Sequence, residues 1–409
     1  MNRRGFLSSC SAGLGVLGAQ RAAPAQMPQT SVVLGDEVFL RDTWRELDGR
    51  SIGIVTNQTG VTSQLVSIVD AARRNPQITL KALFAPEHGL RGDRPAGSYV
   101  PSYVDSVTHL PVYSLYGPTR RPSAAMLSGI DVLLFDIQDI GARDYTFAST
   151  MAYVMEAAAG YGKEIWVLDR PNPIGGTIVE GPVLEPQYKS FIGLYPIALR
   201  HGMTIGELAR MFNEAFGIHA TLRVIPMTGW ERWMLWPDTG LAWVKSSPNI
   251  PTWATTLFYL CTGPAGTAGI NNGTGTAKPF AYAGAYQMNG ARYADALNAI
   301  ELPGVHFRDA AWSPATGFWS DKTLTGVELV VDGPRTFLPV RTAVDLLVVA
   351  REIAPSVVSV RNQHEMDIVW GTDTLRQGLL EGKSSDEIVA AWVPRIEQFR
   401  ALRAKYLLY

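Results

Sequence analysis

Residues 78–93 read Ile-Thr-Leu-Lys-Ala-Leu-Phe-Ala-Pro-Glu-His-Gly-Leu-Arg-Gly-Asp and join an apolar segment to a cluster of ionisable side chains. Ile78–Phe84 first alternates and then becomes continuously apolar, which predicts a buried strand. Pro86 ends this strand, because proline has no N–H to donate to a neighbouring strand. The ionisable residues that follow at once are Glu87, His88, Arg91 and Asp93. Ligands of open parallel sheets bind just beyond the carboxyl ends of the strands, so this stretch is either part of a site or a solvated, well-capped turn.

Three other apolar segments end in polar clusters of the same kind. They are Ser51–Val55 before Thr56, Asn57, Gln58, Thr59 and Gly60; Asp131–Phe135 before Asp136, Gln138, Asp139, Gly141, Arg143, Asp144 and Tyr145; and Glu164–Leu168 before Asp169, Arg170, Pro171, Asn172 and Pro173. Helical patterns lie between them at Gln64–Arg74, near Ser123–Ser128 and at Phe147–Gly160. Strands that alternate with helices predict an α/β fold with a parallel sheet. All four clusters then meet at one edge of that sheet, which favours a functional cleft over four solvated turns.

The chain beyond residue 200 is less periodic. A capping box from Thr204 to Glu207 predicts a helix at Ile205–Phe216, and a strand is expected near Thr221–Pro226. We place a domain boundary after residue 225, which gives a first domain of residues 26–225 and a smaller second domain of residues 226–409. Five tryptophans form either part of a core or a stacking platform for a ligand, and core packing is favoured. They are Trp230, Trp233, Trp236, Trp243 and Trp253.

The amino terminus has the features of a twin-arginine export signal. Arg3 and Arg4 precede the apolar run Ala12–Ala19, and Ala23-Pro24-Ala25 supplies a small-residue cleavage site. We therefore expect residues 1–25 to be an export signal peptide and the protein to be periplasmic or secreted. No stretch is long enough for a transmembrane anchor, so none is expected.

Composition narrows the possible partners. Removal of the three arginines in residues 1–25 lowers the formal net charge from −1 to −4, which argues against a nucleic-acid partner. Cys10 leaves with the signal and Cys261 remains alone, so no intrachain disulfide is expected. With 46% hydrophobic residues, a chain of this length can bury a large core. The oligomeric state does not follow from these features.

Several kinds of chemistry lack their sequence motifs. The chain has no Gly-x-Ser-x-Gly nucleophile elbow and no His-Glu-x-x-His or Cys-x-x-Cys metal motif. The glycine-rich segment 262–276, expected to be a flexible loop, has neither the Gly-Lys-[Ser/Thr] ending nor the spacing of a phosphate-binding loop, which disfavours a nucleotide-dependent enzyme. His88 with Asp136 or Asp169 is a weak metal hypothesis. We expect no metal and no cofactor.

Carboxylates are the better catalytic candidates. Acids that would converge at the sheet edge are Glu87, Asp136, Asp139, Asp169 and Glu180. Crowded acids raise one another's pKa, so that one stays protonated while another is ionised, as glycoside hydrolysis requires. Arginines at the same edge, Arg91, Arg143 and Arg170, either hold an anionic substrate or pair with these acids.

The motifs together resemble those of the exo-β-N-acetylmuramidase family (NamZ type, glycoside hydrolase family 171). The matching segments are Thr56–Gly60, Pro86–Asp93, Asp136–Arg143, Asp169–Pro173, Glu180–Pro182, His201–Thr204, Ser247–Thr252 and Tyr406–Tyr409. Their order and number cover nearly all of the chain after the signal. The resemblance implies a Rossmann-like parallel-sheet domain followed by a smaller α/β domain, with the active-site cleft at the carboxyl ends of the strands. It also implies release of N-acetylmuramic acid from the non-reducing ends of peptidoglycan fragments.

We accordingly expect Glu87 to be the general acid, with Asp136 or Asp139 as the opposing charge. The residues expected to bind the muramyl saccharide are Asn57, Gln58, His88, Arg91, Gln138, Arg143, Tyr145, Asp169, Arg170, Asn172 and Glu180. The chain departs from the family pattern in the loop from Gly266 to Thr276. Many members carry Glu-Gly, Ser-Glu-Gly and Arg there, whereas this chain has Gly266, Asn271, Asn272 and Thr274, so an acidic and a basic group are missing at one rim of the expected cleft. The alternative function is a non-catalytic protein that binds cell-wall sugars in the same cleft.

Export supplies a first prediction. Replacement of both Arg3 and Arg4 by Lys should leave the full-length precursor in the cytoplasm, because twin-arginine recognition requires the arginine pair. Cell fractionation with immunoblotting measures this, and normal periplasmic accumulation of the variant would contradict it. The amino-terminal sequence of the exported protein tests cleavage before Gln26.

Overall fold

The computed structural model describes residues 32–99, 101–317, 319–358 and 363–409, so the expected signal peptide lies outside the described residues. The strands are β1 (Ser51–Thr56), β2 (Thr79–Ala85), β3 (Tyr103–Val104), β4 (Pro111–Ser114), β5 (Val132–Asp136), β6 (Glu164–Leu168), β7 (Glu180–Val183), β8 (Ala198–Arg200), β9 (Thr221–Ile225), β10 (Tyr282–Ala285), β11 (Val305–Trp312) and β12 (Leu324–Val331). The α-helices are α1 (Gly35–Arg41), α2 (Ile68–Arg74), α3 (Phe147–Gly160), α4 (Ile205–Glu214), α5 (Ala254–Ala265), α6 (Gly290–Asn298), α7 (Pro339–Ile353), α8 (Gln363–Trp370), α9 (Thr374–Glu381), α10 (Ser385–Ala390) and α11 (Val393–Arg403).

A seven-stranded sheet in the order β3-β4-β2-β1-β5-β6-β9 forms the amino-terminal half. Its strands are parallel except for the short edge strand β3, which is antiparallel to β4. The predicted parallel sheet, and with it the α/β fold class, is confirmed. A second sheet, β10-β12-β11, is antiparallel and belongs to the carboxyl-terminal half.

The large sheet is buried on both faces, which explains why its strands are apolar throughout. Along β1, Ile52 and Ile54 join one apolar cluster with Phe39 and Trp166, whereas Val55 joins a second cluster on the opposite face. Successive side chains of a strand point to opposite faces, so both faces need apolar residues when helices cover both.

The strand order reverses between β1 and β5, since the chain adds strands outward on both sides of this pair. Thr56 lies opposite Asp136 at the carboxyl ends of the two strands. A Cβ atom at Gly60 would lie 2.8 Å from the Asp136 carbonyl oxygen, so only glycine lets the loop after β1 pass this close. Open α/β sheets bind ligands at such a reversal.

Some local predictions were wrong. The segment Ser123–Ser128 forms turns rather than a helix, and α2 begins only at Ile68 because Ser67 caps it there. The first part of the glycine-rich segment, expected to be a loop, continues α5 to Ala265. Here the packing of α5 against α7 outweighs the low helix propensity of glycine.

The tryptophan-rich region packs mainly as core. Trp230 and Trp236 are buried in one apolar cluster with Met227 and Met234, and Trp243 packs edge-on against Trp236 at 5.0 Å. Trp233 is the exposed exception. Core packing, the favoured interpretation, therefore describes most of this segment. In the part of the chain that is described, no helix combines the length and apolar character needed to cross a bilayer.

The last residue of the chain, Tyr409, is held by hydrogen bonds just beyond the carboxyl end of β6. The Tyr409 hydroxyl donates to Asp169 Oδ2 at 2.8 Å and accepts from the Met227 N–H at 2.8 Å. Asp169 also accepts hydrogen bonds from Thr204 Oγ1 and the Gly206 N–H, so it joins β6 to the start of α4. The carboxyl terminus is therefore held by buried polar contacts with the first half.

Removal of this hydroxyl should be costly. Tyr409→Phe leaves the Met227 N–H without its acceptor and takes one donor from a buried carboxylate, so we expect the free energy of unfolding to fall by about 1–3 kcal/mol. Urea denaturation measures the change. Tyr406→Phe is the matched control, because the Tyr406 hydroxyl makes no hydrogen bond with the described residues. Equal stability of the two variants would contradict the prediction.

Candidate active site

Glu87 lies just beyond the carboxyl end of β2 and is held by donors from two parts of the chain. Its Oε1 accepts from the Gly97 N–H at 2.9 Å, and its Oε2 accepts from Thr146 Oγ1 at 2.7 Å. The Tyr116 phenol lies near this carboxylate, and burial together with the charge of Glu87 raises the pKa of Tyr116 to about 12. Glu87 is thus buried and fixed in one orientation.

The contact with Thr146 departs from ordinary helix capping. Thr146 directly precedes α3, where a threonine hydroxyl commonly accepts from a backbone N–H of the first turn. Its hydroxyl makes no such bond and donates to Glu87 instead. The start of α3 therefore serves to orient the carboxylate.

Two further carboxylates at this edge keep a buried oxygen without a hydrogen-bond partner. Asp139 Oδ2 accepts from the Gly141 N–H at 2.8 Å, while its Oδ1 is unpartnered. Asp144 Oδ1 is likewise unpartnered, and the Tyr259 phenol lies near this carboxyl group. Burial raises the pKa of Asp144 to about 6, against the opposing effect of Arg143. Unpaired buried polar atoms are costly, and they are expected where a ligand completes the site.

Two tyrosines, Tyr145 and Tyr259, pack against each other near these acids. Their rings pack edge to face at 5.7 Å, and the Tyr145 hydroxyl donates to Ser246 Oγ at 2.9 Å. Burial raises the pKa of both phenols, and the charge of Glu87 contributes to both shifts. These electrostatic effects place Glu87, Asp144 and the two tyrosines in one neighbourhood.

His201 faces Asp139 from the loop before α4. Its Nδ1 accepts from the Met203 N–H at 3.2 Å, so the proton of the neutral ring is on Nε2. Nε2 lies 3.6 Å from Asp139 Oδ2 and has no hydrogen-bond partner. His201 therefore offers an N–H donor beside a catalytic candidate.

Amide side chains at the ends of β1 and β5 also carry unpartnered atoms. Gln138 Nε2 donates to the carbonyl oxygens of Asp139 and Pro171, but its Oε1 is unpartnered. Asn57 Oδ1 accepts from Thr59, while its Nδ2 is unpartnered. Both amides lie at the strand reversal and are free to meet a polar ligand.

Gln58 and His88 organise the loops around the site. Gln58 Nε2 donates to the Lys245 carbonyl oxygen at 2.7 Å, which joins the first half to the loop that carries Ser246. His88 adopts a φ of 70°, an uncommon conformation for a residue with a Cβ. Its Nδ1 lies 2.9 Å from the Arg94 carbonyl oxygen and must carry the proton, because a carbonyl only accepts.

Asp136, one of the expected catalytic residues, is engaged elsewhere. Arg170 binds both oxygens of Asp136, at 2.5 and 3.0 Å, and also binds Asp36 at 2.8 Å. All three side chains are almost fully buried. This geometry gives Asp136 and Arg170 a structural role under the strand reversal, in place of the expected contact with substrate.

The Arg143 side chain likewise points into the protein interior. Its guanidinium donates to the carbonyl oxygens of Pro182, Ile197 and Val369, and the side chain is 2% exposed. The small residues Gly141 and Ala142 were expected to leave the Arg143 backbone free to approach a ligand, but Ala142 pairs with Arg200 as an isolated bridge. The arginine therefore links the two halves of the chain and is not free to grip an anion.

Three other expected binding residues also have structural partners. Asp169 is satisfied by the contacts with α4 and Tyr409, and burial raises its pKa to about 7. Glu180 pairs with Arg200 at 3.0 Å. Asn172 caps its own turn through Ile174 and donates to the Met203 carbonyl oxygen. These three residues therefore stabilise the loops at the edge of the sheet.

Arg91 remains accessible, with 59% of its side chain exposed, although it pairs with Asp105 at 3.0 Å. It lines a groove of about 220 Å³ with Asn57, Gln58 and Leu90. Glu87 is not among the residues that line this groove. The groove therefore lies beside the proposed catalytic carboxylates rather than around them.

Sequence reasoning assigned no site role to Tyr116, Asp144, Thr146, His201 and Tyr259, although Asp144 stood in the polar cluster after Asp131–Phe135 and His201 in a motif shared with the family. Tyr116, Asp144 and Thr146 follow strand ends, so the same signal that marked Glu87 was available for them. Tyr259 lies inside α5 and had no local signal. Among the described residues, no group of three His, Cys, Asp or Glu side chains is arranged to hold a metal ion.

The buried carboxyl of Asp144 should make stability depend on pH. Because its pKa rises from 3.8 to about 6 on folding, the folded state loses stability as the pH increases from about 4 to above 6. Asp144→Asn removes this loss, so its advantage over the unmodified protein should grow by up to about 3 kcal/mol across that range. Urea denaturation at several pH values measures it, with the exposed Asp93→Asn as the control. A constant difference between Asp144→Asn and the unmodified protein would contradict it.

Comparisons with known proteins identify relatives that match both halves of the chain. Family models described as the N-terminal and C-terminal parts of exo-beta-N-acetylmuramidase NamZ match residues 52–254 and 257–409. The peptidoglycan beta-N-acetylmuramidase NamZ of Bacillus subtilis (strain 168) is 43% identical over 399 residues, which cover 97% of this chain and 96% of that protein.

Two crystal structures of DUF1343 family proteins from Bacteroides fragilis NCTC 9343 share the fold. One has a TM-score of 0.88 at 37% identity and covers 93% of this chain and 100% of its own. The other has a TM-score of 0.74 at 29% identity and covers 92% of this chain and 99% of its own. With both halves matched in order, the chain belongs to the NamZ exo-β-N-acetylmuramidase family of glycoside hydrolases.

Proposed function

We propose that this protein is an exported, exo-acting glycoside hydrolase that releases N-acetylmuramic acid from the non-reducing ends of peptidoglycan fragments. The observation that carries the proposal is the position of Glu87, held by two donors at the sheet edge that also carries acids with free oxygens. Family membership and the name of the Bacillus subtilis relative support the choice of sugar. The paired arginines and apolar run of residues 1–25 support export.

Glu87 is proposed as the general acid that protonates the leaving glycosidic oxygen. Proton donation matters because a sugar alkoxide is a poor leaving group, and a positioned acid typically accelerates such a step by about 10²–10⁴-fold. Thr146 and the Gly97 N–H fix the carboxyl group, so little reorganisation is needed when the bond breaks.

The opposing carboxylate is proposed to be Asp139 or Asp144. Each retains an unpartnered oxygen, whereas both oxygens of Asp136 are bound by Arg170. A carboxylate must be free to stabilise the developing positive charge of the sugar ring or to activate its nucleophile. Asp144 is therefore added to the candidates, and Asp136 is removed from them.

Replacement of Glu87 tests this role. Glu87→Gln should reduce turnover of a muramic-acid-terminated disaccharide by about 10²–10⁴-fold, because the amide cannot donate a proton as an acid does. The loss should be much smaller for an aryl glycoside, whose leaving group needs little protonation. Chromatography of the released sugars and release of the aryl alcohol provide the two rates.

Glu156→Gln is the matched control, since Glu156 lies on α3 but binds Arg121 and Tyr195 rather than Glu87. Equal losses for aryl and natural substrates would assign Glu87 another role, such as nucleophile or base. Absence of turnover by the unmodified protein, with muramyl saccharide still bound, would favour the alternative of a sugar-binding protein.

A further inference from the structure

The substrate of the proposed function carries a lactyl carboxylate, and the arginines expected to hold it are engaged. Arg143 and Arg170 are buried with protein partners, and Arg91 pairs with Asp105. A sugar acid bound between Glu87 and the opposing carboxylate needs a cation near its lactyl group, because that ionised acid would otherwise repel it. An arginine near Glu87 without a protein carboxylate partner would supply this cation.

Arg120 meets this need. It follows β4 in the loop that also carries Tyr116, and its side chain is exposed. Its guanidinium carbon lies 4.2 Å from the centre of the Phe191 ring and 5.8 Å from that of Tyr116. Among the described residues it makes no ion pair or hydrogen bond, so its donors are available.

Stacking on aromatic rings gives this guanidinium a defined position. The rings of Tyr116 and Phe191 lie 6.0 Å apart, and Phe191 in turn stacks on Tyr153 at 5.7 Å. Cation–π contact restricts a long side chain while leaving the edge of the guanidinium open for bidentate hydrogen bonds. Less conformational entropy is then lost when an anion binds.

Tyr116 connects this cation to the catalytic candidate. Its ring lies 5.8 Å from the Arg120 guanidinium carbon, and its phenol lies near the Glu87 carboxylate. Glu87 raises the pKa of Tyr116 and Arg120 lowers it, as expected when both charges lie near one phenol. The cation therefore lies about one aromatic ring away from the carboxyl group proposed to act on the glycosidic bond.

We propose that Arg120 binds the free lactyl carboxylate of N-acetylmuramic acid and thereby selects muramyl over glucosaminyl ends. The inference rests on the proposed function. The lactyl ether is attached two ring carbons from the anomeric carbon, so its carboxylate lies on the order of one ring width from the scissile oxygen. A sugar acid with its anomeric centre at Glu87 thus reaches Arg120 across Tyr116.

The neighbouring arginine provides a matched control. Arg121 belongs to the same loop and also stacks on an aromatic ring, that of Tyr153 at 3.6 Å. Unlike Arg120, it binds a carboxylate of the protein, since its Nε and Nη2 donate to Glu156 at 2.8 and 2.6 Å. Removal of either side chain deletes one exposed positive charge, but only Arg120 has free donors.

Calorimetric titration of the folded protein with three probes tests the proposal without turnover. N-acetylmuramic acid has the lactyl carboxylate, N-acetylglucosamine lacks the lactyl group, and muramyl dipeptide carries an amide at the lactyl position with its carboxylate farther away. We expect the unmodified protein to bind N-acetylmuramic acid about ten- to a hundred-fold more tightly than the other two, as for a charge-assisted contact.

Arg120→Ala should abolish this preference, Arg120→Lys should restore part of it, and Arg121→Ala should leave it unchanged. Persistence of the preference in Arg120→Ala, or its absence in the unmodified protein, would overturn the proposal. Loss of the preference in Arg91→Ala alone would assign the contact to Arg91, and equally tight binding of muramyl dipeptide would assign it to a peptide carboxylate; either result rejects Arg120 as the lactyl contact. Binding that depends on Arg120 without hydrolysis would instead reject the proposed function and leave this inference intact.

Discussion

The parallel pairing of β1 with β5 is the constraint on which the site depends. It sets Thr56 opposite Asp136 at the point where the strand order reverses, and Gly60 lets the following loop pass within contact distance of that carbonyl. The loops after both strands must then share a small space, which brings Asn57 and Gln138 together. A shift in this pairing would separate the polar groups that a ligand has to meet at once.

Two buried arginines stabilise this edge of the sheet. Arg170 binds both Asp36 and Asp136 beneath the reversal, and Arg143 ties the first half to the Val369 carbonyl oxygen of the second. Removal of one partner from such a cluster leaves an uncompensated buried charge, which costs far more than the pair contributes. Their burial and their protein partners explain why they are poor ligands for a substrate and good supports for the residues that bind one.

The site is also where the protein tolerates unfavourable contacts. Asp139, Asp144 and His201 keep buried atoms without hydrogen bonds, and burial raises the pKa of Asp144. Each unpaired group costs folding free energy, which the large apolar clusters on both faces of the sheet offset. A polar sugar can supply the missing hydrogen-bond partners of these groups. The unpaired groups that destabilise the folded protein therefore favour binding of a polar ligand.

The amino-acid sequence by itself determined the parallel sheet, the strand ends and the position of Glu87. These features depend on neighbours along the chain: an apolar run, then Pro86, then ionisable residues. Only the tertiary structure decided which of the similar polar residues remain free. Asp136 and Asp144 follow the same strand, yet Arg170, 34 residues beyond Asp136, engages only the first. Likewise, the position of the free Arg120 guanidinium depends on stacking against Phe191, about 70 residues further along the chain. Contacts in space set the partners of a side chain, and no local sequence pattern records them.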